Sequence, residues 1–285
     1  MKKSVGSRLA KVSLGIVAFL ALAVGLGRLY AHHEEARITF INDHDTAKTP
    51  ADFGAPFERV AIPVDSRVLD GVVVRAPEPV AAALLFHGQD ETVSNWARAQ
   101  KYLFDHHVSS MIFDYSAYGR STGENDVQHL RPDAAAAFKK FATLFPDSPH
   151  FIVALSLGVS VSLQAYPDFG PGVQGLVLTG AWTSSQDIAV ALGAIPSALS
   201  FIVPQTFDNL AAIRRVDAPI LLVRASADEI VPAGEPKQLF DAAREPKTLI
   251  VAEGYDHNAP WRSVEDKYWA PILDFLRHPK LAATR

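Results

Sequence analysis

The sequence predicts an α/β fold: a mostly parallel central sheet with helices on both faces and a small helical cap. Three observations lead there. Strand-length segments rich in apolar residues recur at 80–86, 110–115, 151–155 and 173–179, the first of them a continuous apolar run, as strands buried on both faces require. Between them stand stretches with apolar residues at helical spacing. At 285 residues, 48% of them hydrophobic, the chain is long enough for one such domain plus an appendage.

The elements follow in chain order. Residues 57–64 and 67–75 read as a hairpin turning at Asp65-Ser66. Strand 80–86 stops at His87-Gly88, and a helix over 95–104 leads to strand 110–115. The span 126–145 is helical, with the alanines at 134–137 as strong formers. Strand 151–155, helix 157–165 and strand 173–179 come next, then strands 219–223 and 248–251 with helices at 235–243 and 263–277. Strands alternating with helices in this way form a parallel sheet whose reactive groups lie beyond the carboxyl ends of its strands. Segment 182–217 is longer than a crossover needs and reads as an insertion.

The first 31 residues are a separate object. Lys2, Lys3, Arg8 and Lys11 precede a charge-free run from Val12 to Gly27, followed by Arg28, Leu29, Tyr30 and Ala31. With Arg28 snorkelling, the run approaches the length that crosses a hydrocarbon core of about 30 Å. The basic side stays in the cytoplasm, which places the domain outside it. A cleaved signal peptide is the alternative, with Ala21-Leu22-Ala23 as an A-x-A site, and would yield a secreted protein. Residues 32–56 are polar and read as a linker, leaving 57–285 as the domain.

Composition excludes several classes. The net charge of −4 is scattered, unlike the basic footprint of a nucleic-acid binder. The absence of cysteine removes disulfides, thiolate catalysis and cysteine-based metal sites. His32-His33 and His106-His107 lack further ligands at metal spacing and read as solvated, so no metal site is expected.

Val153-Ala154-Leu155-Ser156-Leu157-Gly158 carries the chemistry. A buried strand ends in a serine and a helix begins at once, a turn that strains the serine and lifts its hydroxyl above the sheet. The residues two before and two after must be small; Gly158 is, and Ala154 stands where glycine is usual. The helix start places the Leu157 amide where an oxyanion would develop. Alternatively, Ser156 simply caps the helix.

In order along the chain come Leu85-Phe86-His87-Gly88, Asp114 through Gly123, the Ser156 turn, Ala227-Asp228-Glu229-Ile230-Val231-Pro232 and Gly254-Tyr255-Asp256-His257. This series resembles the α/β-hydrolase superfamily, in particular its Bem46-like and ABHD13-like (serine aminopeptidase S33-like) branch. The resemblance spans about 57–276 and implies the α/β-hydrolase fold and a cofactor-free acyl transfer. Ser156 would be the nucleophile, His257 the base and Asp228 the acid that orients it, in the family's Ser, Asp, His order. Asp187, after the strand at 173–179, is the rival acid.

The amides of Leu157 and Gln89 would form the oxyanion hole, with His87 packed behind that loop. The insertion lies where the family places its cap, and Tyr118 and Trp182 would border the pocket. The implied substrate is a small-molecule or lipid-like acyl ester or thioester, hydrolysed without a nucleic-acid partner; the membrane is engaged through the N-terminal segment. Amide or peptide hydrolysis, acyl transfer to an alcohol, and an inactive binding protein are the alternatives.

Overall fold

A computed structural model describes residues 2–39 and 46–279. Helix α1 (Lys2–Thr39) continues through 32–39, where a linker was expected. No glycine or proline stands between Gly27 and Pro50, and Glu34, Glu35, Ala36 and Arg37 are good helix formers, so nothing stops the helix there. Residues 40–45 of that expected linker lie outside the described residues.

Strands β1 (Glu58–Val64) and β2 (Arg67–Val74) form the hairpin. Asp65 takes the left-handed conformation that the tight turn demands. There follow β3 (Ala81–Phe86), α2 (Ala97–Asp105), β4 (Val108–Phe113), α3 (Val127–Leu144), β5 (His150–Leu155), α4 (Leu157–Phe169) and β6 (Val173–Thr179). The insertion holds α5 (Ser185–Ala191), a 3-10 turn at Ser197–Ile202 and α6 (Asn209–Ile213). Strand β7 (Ile220–Ala225), α7 (Gly234–Ala242), β8 (Lys247–Ala252), α8 (Ala259–Arg262) and α9 (Asp266–Arg277) complete the domain. The helix expected over 263–277 is α9, which starts three residues later, and the short α8 before it was not anticipated.

The strands lie in the order β1-β2-β4-β3-β5-β6-β7-β8, antiparallel through β4 and parallel from there on. Each face of the sheet buries its own apolar layer. One layer holds Phe86, Phe113, Phe141 and Ile152; the other holds Leu85, Trp96, Phe151 and Trp269. Alternation along the parallel strands sends adjacent residues to opposite layers, which is why the centres of those strands are apolar in consecutive residues.

Register decides where the loops meet. Phe86 pairs with Ala154, Leu155 with Thr179, and Ala225 with Ala252. The carboxyl ends of β3, β5, β6, β7 and β8 therefore share one edge of the sheet, and the loops after them converge there.

Candidate active site

Ser156 sits between β5 and α4 with φ 54° and ψ −114°, a conformation non-glycine residues rarely adopt. Such backbone costs on the order of 1–3 kcal/mol and persists only where its surroundings hold it. They do so here: the Ser156 N–H donates to the Thr179 carbonyl at 3.0 Å, and its own carbonyl accepts from Val159 N–H at 3.0 Å.

The two small positions of the turn are not equivalent. A Cβ on Gly158 would stand 2.4 Å from the Phe86 carbonyl oxygen and 2.8 Å from that of His87, both backbone atoms that cannot step aside. Ala154, by contrast, is fully buried in the β5 ladder, where its methyl is part of the core. Alanine in place of the usual glycine is tolerated there because the crowding falls on the helix side of the turn. Gly158→Ala is expected to destabilise the protein by about 3 kcal/mol, the upper range for overpacking, because β3 and the loop after it must shift. Urea unfolding measures it; an unchanged midpoint would contradict the close approach.

His257 and Asp228 lie in contact. Nδ1 of His257 lies 2.8 Å from Oδ2 of Asp228, and both side chains are nearly enclosed. The other Asp228 oxygen accepts from the N–H groups of Ile230 and Val231, at 2.9 Å each. Burial raises the Asp228 pKa, but the His257 hydrogen bond and charge and the two amides outweigh it. The carboxyl ends below its ordinary value and is ionised at neutral pH.

Gly180, which the sequence reading passed over, sets the position of the imidazole. It follows Thr179, adopts φ 56°, and a Cβ there would lie 2.6 Å from His257 Cε1. The ring thus packs one residue from the carbonyl that holds Ser156. A glycine directly after a strand that ends beside the serine was the available signal.

Asp187 does not join this cluster. Its carboxylate accepts from the hydroxyls of Thr183 (2.7 Å) and Ser184 (2.6 Å) at the start of α5.

The loop after β3 is held from below. The Tyr115 hydroxyl donates to the His87 carbonyl at 3.0 Å, and the Tyr118 hydroxyl to the Gln89 carbonyl at 2.7 Å. His87 Nδ1 lies 2.8 Å from the Gly88 carbonyl. In a trans peptide the N–H opposes the C=O, so the Gln89 N–H points away from the buried His87 ring. Burial lowers the His87 pKa to about 4, keeping the ring neutral, and raises that of Asp114 behind it to about 7.

Tyr118 was expected at the pocket border. It is fully buried instead, because its hydroxyl turns inward to brace this loop. Trp182 is buried beneath the insertion, edge-on to Phe207 at 5.8 Å.

Glu91 is a second residue the sequence reading missed. Fully enclosed, it accepts from Gly88 N–H (2.9 Å), Trp96 Nε1 (2.7 Å) and Trp261 Nε1 (2.8 Å). Trp261 belongs to α8, just past His257, so Glu91 ties the β3 loop to the histidine loop. Burial raises its carboxyl above the ordinary value although all three donors pull the other way. The hollow lined by Lys48, Asn95, Arg98, Trp261 and Arg262, about 320 Å³, lies behind this tie and includes none of Ser156, Asp228 and His257.

A strained strand–serine–helix turn at the carboxyl edge of such a sheet, with a histidine–aspartate pair on loops at the same edge, is the layout of the α/β hydrolases. Comparison with known proteins agrees. The family described as serine aminopeptidase, S33, matches residues 77–212. An uncharacterized Mycobacterium tuberculosis protein, Rv2307c, is 32% identical over 156 residues, 54% of each chain. The α/β hydrolase domain-containing protein WAV2 of Arabidopsis thaliana is 28% identical over 184 residues, 58% of this chain and 59% of its own.

Among solved structures, the Pyrococcus furiosus esterase Pf2001 superposes with a TM-score of 0.70 at 16% identity, covering 85% of this chain and 98% of that one. A cold-adapted esterase from an Arctic intertidal metagenomic library gives 0.58 at 19% identity, over 78% and 93%. The chain has the α/β-hydrolase fold, and nearly half of it matches the serine aminopeptidase, S33, family. It spans about half the length of the first curated relatives it matches.

Proposed function

We propose that this protein is a membrane-anchored serine hydrolase, cleaving an ester or thioester through an acyl-enzyme with its domain outside the cytoplasm. The observation that carries the chemistry is the 2.8 Å bond between His257 Nδ1 and Asp228. Through it Nδ1 carries the proton, leaving Nε2 the basic nitrogen. Ser156 Oγ attacks the carbonyl and gives its proton to Nε2 of His257. The imidazolium formed is stabilised by the ionised Asp228 and returns the proton to the leaving oxygen or sulfur. Water, activated by the same imidazole, then releases the acid. The amides of Leu157 and Gln89 would receive the oxyanion, each worth about 3 kcal/mol in the transition state.

The ester reading is supported by the insertion. A peptide's amino terminus calls for an open carboxylate near the site. The three acids of 182–217 are all engaged: Asp187 by hydroxyls, Asp208 by the Ala211 N–H, and Asp217 by the Tyr166 hydroxyl. The anchor reading is supported by Ser13–Glu34, a stretch of mean hydropathy 1.9 with no fully buried residue, which meets the insertion at Gly27 and Arg28. A mature protein beginning just after Ala23 would overturn the anchor.

The chemistry is tested by treating the full-length protein in detergent with a fluorophosphonate and mapping the adduct by mass spectrometry. An adduct on Ser156 is expected, together with turnover of p-nitrophenyl esters. No adduct, or one elsewhere, overturns the proposal.

A further inference from the structure

The insertion touches the apolar helix α1. A Cβ on Gly27 would lie 3.5 Å from Ile202 Cγ2, and the Arg28 guanidinium donates to the Phe201 carbonyl through Nη2 (3.2 Å) and Nε (3.4 Å). Its level along the helix matters. Gly27 lies seven residues before Glu34, where the apolar span ends, and that is about 10 Å of helix rise. A hydrocarbon core of about 30 Å entered at Ser13 reaches past Gly27 and Arg28. Because α1 is one continuous helix, whatever packs beside Gly27 lies at that depth too.

The insertion is dressed for that position. Leu192, Leu199 and Phe201 are 54%, 43% and 43% exposed, a concentration of large apolar surface that water would disfavour. A guanidinium inside the hydrocarbon layer needs acceptors, and Arg28 finds one on the insertion itself. At its root, meanwhile, the insertion is fastened beside the candidate site. Asn209 Nδ2 donates to Ser160 Oγ at 2.8 Å on α4, one helical turn from Ser156, and to the Trp182 carbonyl at 2.8 Å.

We infer that the insertion is a membrane-docked cap, its Leu192, Leu199 and Phe201 immersed in the same leaflet that α1 leaves. Acyl substrate then reaches Ser156 from the lipid side, and the substrate class narrows to esters or thioesters residing in the bilayer. The docked position rests on the anchor reading alone, and its consequence for the substrate rests on the proposed ester chemistry as well.

The test uses the absence of native cysteine. Full-length Leu199→Cys and Phe201→Cys variants are labelled with a nitrobenzoxadiazole fluorophore and reconstituted into phosphatidylcholine–phosphatidylglycerol vesicles whose acyl chains carry spin-label quenchers. Leu20→Cys reports the span; Asp274→Cys reports exposed surface on α9, across the sheet from the insertion. Fluorophores at 199 and 201 are expected to lose most of their emission, as the one at 20 does, while the one at 274 keeps it. Quenching at 20 but none at 199 and 201 beyond that at 274 overturns the docked cap alone. No quenching at 20 overturns the cap and the anchor together.

Discussion

Ser156→Ala is expected to lower kcat by about 10⁴- to 10⁶-fold and leave the fold intact. The alanine keeps the backbone hydrogen bond from residue 156 to Thr179 and loses only the hydroxyl. Residual turnover should then come from substrate binding and the backbone donors alone, with KM little changed. The backbone adds a second signature. At φ 54° a serine or an alanine carries the same strain, whereas glycine does not. Ser156→Gly should thus be as inactive as Ser156→Ala but more stable by about 1 kcal/mol. Stopped-time ester assays and urea unfolding measure the two quantities. A Ser156→Ala enzyme retaining a tenth of its activity would remove the serine from the mechanism, and equal stability of the two variants would contradict the strain.

Asp228→Asn should cost about 10⁴-fold in kcat, the loss expected when the orienting acid can no longer select the tautomer. Both Asp228 oxygens are in use: one faces His257 Nδ1 and the other takes two backbone N–H groups. An asparagine can satisfy only one side with its single oxygen. Keeping the oxygen on the two backbone N–H donors turns its NH₂ toward His257, which makes Nδ1 an acceptor and puts the proton on Nε2, where a base is needed. Asp187→Asn discriminates between the two acids. Its carboxylate serves hydroxyls at the start of α5, so kcat should be essentially unchanged. A large loss at position 187 with a small one at 228 would exchange their roles.

Much of this arrangement was legible in the chain. The strand-length apolar segments located the central strands because a strand covered on both faces has few polar positions to interrupt it. Ser156, Asp228 and His257 stood out as candidates because each follows such a segment, and loops after parallel strands converge by topology alone. The boundaries that slipped have local causes. Residues 32–39 look like a linker by polarity, yet polarity does not end a helix that meets no glycine or proline. Tyr118 looked like a rim residue because a loop tyrosine is usually exposed; nothing in its neighbours announces that its hydroxyl turns inward to the Gln89 carbonyl.

The sequence by itself determined the parallel α/β architecture, the serine turn and the chain order of the three candidate groups, because periodicity, turn chemistry and strand order are local or topological properties. Only the tertiary structure decided which acid faces the histidine. It also decided that Gly158 rather than residue 154 carries the steric demand, that Glu91 and Gly180 set the loops around the serine, and that the insertion lies against α1. Each of these depends on approaches of a few ångströms between segments far apart in the chain, and such distances are set by strand register and packing, which no single stretch of sequence encodes.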